Sequence, residues 1–220
     1  MPSPFDQSRY QVRFEWGDAG AQRLAPADIT VVVDVLRFSS SVTDRVAAGE
    51  RVPADDEAVT GSRNGAPLAA SLARTGTTVL LGCLRNAAAV ADAVLAEQVR
   101  RGARTSVAVI AAGELADADA GSLLRFAVED QLGAGAVIDA LAVRGLDHSS
   151  PEAAATCEAL RGLRSAVRYL LTASGSGQEL LERGLGDEVR AAAQLDATDA
   201  VPVLRDGVFE RFEPVATARR

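Results

Sequence analysis

The chain has 220 residues, of which 48% are hydrophobic and 24% charged, proportions typical of one globular domain over residues 1–220 and not of a disordered chain. Its formal net charge of −7 argues against nucleic acid as the main partner, because phosphate backbones attract basic surfaces. The single histidine, His148, excludes a zinc site with two histidine ligands, and the lack of lysine excludes a lysine nucleophile or a P-loop lysine.

The cysteines and the apolar segments point to the compartment in which the chain works. Cys83 and Cys157 are too few for a disulfide framework, so we expect two reduced thiols. No apolar run reaches the roughly 18 residues needed to cross a bilayer. The first residues also lack the charged and apolar segments of a signal peptide. These features predict a cytoplasmic protein without membrane association.

The first part of the chain alternates predicted strands and helices. Residues 28–36, DITVVVDVL, are rich in β-branched residues without polar alternation, which predicts a strand buried on both faces. A helix follows, with Ser39–Ser41 as its cap candidates and Gly49 at its end. Residues 50–59 predict a short strand and a turn, and residues 64–75 predict a second helix.

The middle of the chain continues the alternation. Residues 77–83, TTVLLGC, predict another buried strand, and residues 86–102 predict a helix that Asn86 can cap. Residues 105–113 predict the next strand, and the polar residues 114–122 predict a loop. Strands that alternate with helices in this way indicate an α/β protein with three α/β/α layers and a largely parallel or mixed sheet.

The last part of the chain is mostly helical in its pattern. Residues 122–145 predict a helix, in which Gly133 and Gly135 indicate either close packing or a break. Residues 151–174 predict one long amphipathic helix. Near the end, the Asp-Gly pair within residues 204–209 is typical of a hairpin turn.

Polar residues follow the first predicted strand, at the kind of place where open α/β sheets bind ligands. Asp34 ends this strand, and Arg37, Ser39 and Ser40 come directly after it. A buried carboxylate needs a cation or hydrogen-bond donors, so Asp34 either pairs with Arg37 or binds a hard cation such as Mg²⁺. The serines either cap the helix or form a phosphate cradle with Arg37 and the helix N–H groups.

A second acidic position lies inside the predicted helix at residues 122–145. Acidic pairs on helices are usually solvated, but Glu129 and Asp130 stand in the mostly apolar stretch RFAVEDQLGAGAVI. This context favours carboxylates at a partly buried site. Together with Asp34 they would form a Mg²⁺ site made of carboxylates alone, which a chain with one histidine can provide.

Five sequence elements, in this order, resemble those of the 2-phosphosulfolactate phosphatase family. They are DVLRFSS at 34–40, RNGA at 63–66, GCLRNAAAVA at 82–91, AAGE with VEDQLGAG at 111–114 and 128–135, and SGQELLERGLGDEVRAAAQLD at 176–196. Two features depart from the family. The segment 53–66 is shorter than in other members, and Ala66 stands where threonine or serine is usual.

This resemblance implies an α/β/α enzyme, often dimeric, that hydrolyses the phosphate ester of a sulfonated hydroxy acid with Mg²⁺ in coenzyme M biosynthesis. It points to a set of site residues: Asp34, Arg37, Ser39, Ser40, Asn64, Gly65, Asn86, Glu129 and Asp130. From their chemistry, the metal ligands are expected to be Asp34, Glu129 and Asp130, and the phosphate-binding residues Arg37, Ser39, Ser40, Asn64, Gly65 and Asn86. The expected catalytic residues are Asp34, Arg37 and Glu129.

The preferred hypothesis is therefore a homodimeric, Mg²⁺-dependent phosphatase acting on a small anionic phosphate ester. A nucleophilic Asp34 is less favoured, because position 36 is leucine where the DxDxT pattern needs a second aspartate. A cysteine phosphatase is also disfavoured, because position 89 is alanine where a CxxxxxR loop needs arginine. The alternative hypothesis is a divergent, non-catalytic protein that binds an anion or a metabolite on the same scaffold.

Overall fold

A computed structural model describes residues 3–115 and 123–214 of the chain. Its strands are, in chain order, β1 (Val12–Trp16), β2 (Ile29–Val33), β3 (Val52–Pro53), β4 (Thr78–Gly82), β5 (Val107–Ala111), β6 (Glu114–Leu115), β7 (Leu124–Arg125), β8 (Pro202–Arg205) and β9 (Val208–Arg211). Seven of them form one sheet in the order β1-β5-β2-β4-β8-β9-β3, and β6 pairs with β7 in a separate hairpin.

The main sheet has a parallel half and an antiparallel half. Strands β1, β5, β2 and β4 are parallel neighbours, whereas β8, β9 and β3 extend the sheet from β4 in antiparallel pairings. Every residue of β2 and β5 is buried, which explains why both sequences are uninterrupted apolar or β-branched runs. The sheet is thus mixed, as the sequence predicted, and the hairpin of β8 and β9 is the one predicted from its Asp-Gly turn.

Helices cover both faces of the sheet. They are, in chain order, α1 (Gly17–Arg23), α2 (Phe38–Ala47), α3 (Glu57–Thr60), α4 (Gly65–Ala73), α5 (Ala87–Arg101), α6 (Val128–Val143), α7 (Pro151–Leu163), α8 (Val167–Ala173), α9 (Gly175–Glu182) and α10 (Gly186–Ala192). Within the described ranges, no helix combines the length and the apolar character required to cross a bilayer.

The side chains of β2 show the three layers directly, because successive residues of a strand point to opposite faces. Val31 and Val33 pack in one apolar cluster with residues of α5, α6 and α7. Val32 packs in a second cluster with residues of α2 and α4 on the other face. The predicted three-layer α/β/α class is therefore confirmed.

Several details differ from the sequence-based expectations. Strand β1 was not predicted, because Arg13 and Glu15 interrupt its apolar pattern. The predicted helix at 122–145 begins only at Val128, after strand β7, and part of the predicted loop, residues 116–122, lies outside the described residues. The predicted helix at 151–174 is two helices, because a 3₁₀ turn at Arg164–Ala166 separates α7 from α8.

The two glycines of α6 mark close packing and not a break. The helix continues through both Gly133 and Gly135. A Cβ atom at Gly135 would lie only 2.6 Å from the carbonyl oxygen of Thr156 in α7. Glycine at this position therefore allows α7 to approach α6, and this packing holds the helix whose first turn carries Glu129 and Asp130.

The topology places a crevice at the carboxyl ends of β2 and β5. The chain leaves β2 through α2 and α4 and returns as β4 on one side, and it then crosses back through α5 to form β5 on the other side. Such a change of direction opens a crevice between two parallel strands, where ligands of open α/β sheets bind. The residues that follow β2 and β5 are therefore the ones to inspect for function.

Candidate functional site

Asp34 is the first residue after β2 and lies almost completely buried, with 7% of its surface exposed. Its Oδ1 accepts a hydrogen bond from the amide of Phe38 at 3.2 Å, and its Oδ2 accepts one from the amide of Gly65 at 2.9 Å. The Ser62 hydroxyl lies 3.5 Å from the same Oδ2. Backbone donors from two segments thus fix the carboxylate, and no arginine of the described residues pairs with it.

Gly65 contributes through its backbone and the absence of a side chain. A Cβ atom there would lie 2.5 Å from Asp34 Oδ2 and 2.4 Å from a ring carbon of Phe38. Only glycine lets the amide of this residue come so close to the carboxylate. Because the amide of Gly65 donates its hydrogen bond to Asp34, the geometry gives no support to its predicted contact with phosphate.

Arg37 forms an ion pair with Glu188 of α10, and not with Asp34 as one of the two expectations had it. Both side chains of this pair are about two-fifths exposed, at 42% and 44%. Such exposed pairs are weak, typically about 0–1 kcal/mol. Arg37 lines the same cleft as Asp34 and can therefore exchange Glu188 for an anionic ligand.

The hydroxyls of Ser39 and Ser40 are turned into the protein. Ser39 Oγ accepts a hydrogen bond from the amide of Asp34 at 3.0 Å and donates to the carbonyl of Val32 at 3.2 Å. Ser40 Oγ donates to the carbonyl of Val35 at 2.8 Å. Both serines therefore hold the turn between β2 and α2, and the geometry gives no support to their predicted contact with phosphate.

Asn86 is likewise a structural residue in this fold, with no exposed surface. Its Oδ1 accepts a hydrogen bond from the amide of Cys83 at 2.9 Å. Its Nδ2 donates to the carbonyls of Leu81 at 3.2 Å and Ala200 at 3.0 Å. The side chain ties the turn after β4 to the segment before β8, so its predicted contact with phosphate has no geometric support either.

Asp130, on the first turn of α6, bridges the ends of the two strands that form the crevice. Its Oδ1 accepts a hydrogen bond from the amide of Val35 at 2.7 Å, and its Oδ2 accepts one from the amide of Gly113 at 2.9 Å. Burial raises the pKa of this carboxyl well above its usual range, and the charges of Asp34 and Glu129 raise it further. The three acidic residues predicted from the sequence therefore lie together.

The same crowding of negative charge affects Asp34. Burial raises its pKa to about 6, although the hydrogen bonds from Phe38 and Gly65 act in the opposite direction. The charges of Glu114 and Glu129 contribute to this increase in pKa. In the described residues, no arginine forms an ion pair with any of these carboxylates.

Two residues to which the sequence analysis gave no role complete the cluster. The hydroxyl of Ser176 contacts Glu129 Oε1 and lies 3.2 Å from Glu114 Oε2. Glu114 Oε1 also accepts a hydrogen bond from Asn64 Nδ2 at 2.9 Å. Glu114 follows β5 much as Asp34 follows β2, and Ser176 is the first residue of the last of the five family-like elements, so both positions carried a signal in the sequence.

The start of α9 presents Ser176 to these carboxylates. Ser174 caps the helix, since its hydroxyl accepts a hydrogen bond from the amide of Gly177 at 3.0 Å and donates to the carbonyl of Leu171 at 2.9 Å. The capped turn is fixed on α8 through Leu171. Ser176 therefore stands in a defined place between β6 and α6, and its contact with Glu129 does not depend on a free loop.

A cleft of about 360 Å³ opens at this cluster. Asp34, Glu114 and Ser176 line it together with the arginines Arg37, Arg45, Arg63 and Arg183. Carboxylates on one side and guanidinium groups around them form a place that can hold a cation and an oxyanion side by side. A volume of this size suits a small molecule.

The donor atoms fit Mg²⁺, although no group of three or more acidic, histidine or cysteine side chains between residues 3–115 and 123–214 is already arranged as a metal cage. Mg²⁺ usually takes one or two carboxylates and keeps several waters. Asp34, Glu114 and Glu129 offer hard oxygen ligands. The side-chain oxygen Oδ1 of Asn64 is buried without a hydrogen-bond partner in the described structure, so it is a further oxygen free to bind a cation.

Comparison with known protein families identifies the family to which the chain belongs. The family model described as 2-phosphosulpholactate phosphatase matches residues 45–207, which is well over half of the chain. The matched part includes Asn64, Glu114, Glu129, Asp130 and Ser176, and it begins after Asp34 and Arg37. In agreement with the five sequence elements, the chain belongs to the 2-phosphosulpholactate phosphatase family, and at the level of that family it is a phosphoric monoester hydrolase.

Proposed function

We propose that the protein is a Mg²⁺-dependent phosphatase that hydrolyses the phosphate monoester of a small hydroxy acid, of the 2-phosphosulfolactate type. One observation carries the proposal. The carboxylates of Asp34, Glu114 and Glu129 converge at the ends of β2 and β5, and none of them forms an ion pair with a described arginine, although arginines line the adjacent cleft. Crowded, partly buried carboxylates are costly unless a cation offsets their charge.

The residues that would hold Mg²⁺ differ slightly from the set expected from the sequence. Asp34 and Glu129 stay in the set, and Glu114 and the side-chain oxygen Oδ1 of Asn64 join it. Asp130, unlike Asp34, is not among the described residues that line the cleft, and its oxygens accept hydrogen bonds from the amides of Val35 and Gly113, so we assign it the role of holding the strand ends in place. Bound there, Mg²⁺ would neutralise charge on the phosphoryl oxygens and polarise a water.

The remaining steps use the chain's own groups. Arg37 lies in the cleft with only an exposed partner, so it can donate hydrogen bonds to the phosphoryl oxygens in the transition state. Glu114 lines the cleft, so one of its two carboxylate oxygens would hold Mg²⁺ while the other can accept the proton of the attacking water and return it to the leaving oxygen. Asn64 and Ser176 orient Glu114, because each contacts one of its two carboxylate oxygens.

The proposal is tested by phosphate release from a panel of esters, including 2-phosphosulfolactate, with Mg²⁺ and with EDTA. We expect turnover that depends on Mg²⁺ and is strongest for esters of small hydroxy acids. Absence of phosphate release from every ester by folded protein would overturn the proposal. If phosphate then raised the melting temperature without any hydrolysis, the non-catalytic, anion-binding alternative would be favoured.

Three wider predictions accompany this proposal: a homodimer, which the resemblance implies, a cytoplasmic location, which the cysteines and the apolar segments predict, and a role in coenzyme M biosynthesis, which the resemblance also implies. Light scattering coupled to size-exclusion chromatography measures the first, with twice the mass of one chain as the expected result. Localisation of a tagged protein in its host measures the second. Loss of coenzyme M after gene deletion, with accumulation of the phosphorylated precursor, would support the third.

A further inference from the structure

Arg63 is placed at the cleft by a short backbone segment that the site itself anchors. Its neighbour Ser62 lies 3.5 Å from Asp34 Oδ2, and its neighbour Asn64 donates a hydrogen bond to Glu114 at 2.9 Å. The amide of Gly65, two residues on, donates to Asp34 at 2.9 Å. The backbone at residue 63 is thus tied to the site carboxylates on both sides, and its exposed side chain lines the cleft.

Arg63 differs from the other arginines around this cleft. Each of those has an acidic partner: Arg37 pairs with Glu188, Arg45 with Glu50 at 2.8 Å and Asp56 at 3.1 Å, and Arg183 with Glu179 at 3.9 Å. Arg63 forms no ion pair or side-chain hydrogen bond with any residue that the structure describes. Arg63 can therefore bind a ligand without first breaking an ion pair with a described residue, whereas the other arginines that line this cleft cannot.

We propose that Arg63 determines substrate specificity by binding the carboxylate or sulfonate group on the alcohol part of the substrate. The inference rests on the proposed phosphatase function. A guanidinium presents two parallel N–H groups that match the paired oxygens of such acids. The phosphoryl group belongs near Asp34 and Glu114, so the acid group of the same small molecule reaches the arginine between Ser62 and Asn64.

Three esters separate the acid group from the phosphoryl group. 2-Phospholactate carries a carboxylate, the phosphate ester of isethionate carries a sulfonate, and isopropyl phosphate has a methyl group in place of the carboxylate of 2-phospholactate. We expect the wild-type protein to prefer at least one acid-bearing ester over isopropyl phosphate by about tenfold or more in kcat/KM. The acid that gives the larger preference identifies the group that Arg63 binds.

Substitution of Arg63 tests the assignment. Arg63→Gln should lower kcat/KM for the preferred acid-bearing ester by about 10- to 100-fold and change that for isopropyl phosphate less than threefold. Arg63→Lys should recover part of the loss, because it keeps the charge but not the paired donors. Arg74→Gln is the matched control. It removes an exposed arginine from the end of the neighbouring helix α4. Among the described residues, the guanidinium of Arg74 donates only to the carbonyl of Ala70.

Equal losses on all three esters after Arg63→Gln would show that the residue binds the phosphoryl group, and this would overturn the inference while leaving the phosphatase function intact. Unchanged kcat/KM on all of them would also overturn it. A wild-type protein that hydrolyses none of the esters would instead count against the proposed function itself.

A binding measurement keeps the inference testable without turnover. Phosphonoacetate and ethylphosphonate cannot be hydrolysed and differ in one carboxylate, and sulfomethylphosphonate provides the sulfonate counterpart. Calorimetry with Mg²⁺ should show at least tenfold tighter binding of one acid-bearing phosphonate to the wild type, and this difference should vanish in Arg63→Gln. Binding of all three with equal affinity, or no binding at all, would contradict the assignment.

Discussion

The ends of two neighbouring parallel strands carry similar polar residues with opposite roles. Asp34 follows β2 and Asn86 comes shortly after β4, and each accepts a hydrogen bond from a backbone amide in the turn to the next helix. The amide group of Asn86 is completely buried and bonded to protein carbonyls. Asp34 lines a cleft and stands beside Glu114 and Glu129. The functional strand end, after β2, thus differs from the structural one, after β4, in carrying unpaired negative charge next to a cleft.

The largest effect that this comparison predicts is on catalysis at the end of β2. Asp34→Asn should lower Mg²⁺-dependent kcat/KM by about 10³-fold or more, because it removes a charge that the bound cation needs. Phosphate release at saturating Mg²⁺ measures the change. Asp147→Asn, in an exposed loop away from the cleft, is the control and should keep wild-type activity. Full activity of Asp34→Asn would remove this residue from the site.

The corresponding substitution at the end of β4 should act on stability. Asn86→Ala leaves the amide of Cys83 and the carbonyls of Leu81 and Ala200 without their partner, which should cost about 2–4 kcal/mol of unfolding free energy. Urea unfolding measures this loss. Per folded molecule, kcat/KM should stay within about threefold of wild type. If the variant were as stable as the wild type but had lost its affinity for phosphate, the phosphate-binding role predicted for Asn86 from the sequence would be supported instead.

The dependence of stability on pH should also distinguish the two strand ends. The pKa of Asp34 is raised to about 6 in the folded protein from 3.8, so the folded state binds more protons than the unfolded state between these values. Without Mg²⁺, the contribution of Asp34 to stability should therefore fall as pH rises from about 4 through 6. Asp130 contributes with the same sign, because its pKa is also raised.

Thermal unfolding in EDTA between pH 4.5 and 7.5 checks this dependence. The wild type should lose stability relative to Asp34→Asn as the pH increases, and added Mg²⁺ should remove most of that loss above pH 6. A wild-type curve parallel to that of Asp34→Asn across the whole interval would mean that Asp34 is not held in a crowded, buried environment.

The smallest predicted effect concerns the serine between the two glutamates. Ser176→Ala removes the hydroxyl that contacts Glu129 and Glu114, so both carboxylates lose a positioning contact. We expect a loss of about tenfold in kcat/KM, with a higher Mg²⁺ concentration required for half-maximal activity. Ser176→Thr should restore part of it. A loss in stability with unchanged Mg²⁺ dependence would indicate a purely structural serine.

The sequence predicted the parts of the fold that depend on local patterns. The β-branched, uninterrupted runs of β2, β4 and β5 identified buried parallel strands, and the apolar stripe of α5 identified its helix. Strand β1 was missed because its charged residues obscure the pattern. Arg13 in that strand is nevertheless buried, since its guanidinium donates to the carbonyls of Tyr10 and Ala25.

The sequence predicted which residues of the site lie near one another at the strand ends, but not what each side chain contacts. Asp34, Glu129 and Asp130 lie together as expected, because the ends of β2 and β5 meet at α6. The sequence does not reveal whether the side chain of a polar residue points into the cleft or hydrogen-bonds to the backbone. For this reason, the phosphate-binding roles predicted for Ser39, Ser40 and Asn86 have no support in their hydrogen bonds. Ser176 meets Glu114 and Glu129 through contacts between residues that are far apart in the sequence, which no local pattern encodes.

The direct test of the account is the binding of Mn²⁺, as a paramagnetic substitute for Mg²⁺, followed by electron paramagnetic resonance. We predict one site per chain in the wild type, displaced by Mg²⁺ and weakened at least tenfold in both Asp34→Asn and Glu114→Gln, with Asp147→Asn unchanged. Wild-type protein that binds no Mn²⁺, or binds it with an affinity indifferent to both substitutions, would contradict a cation site at the ends of β2 and β5.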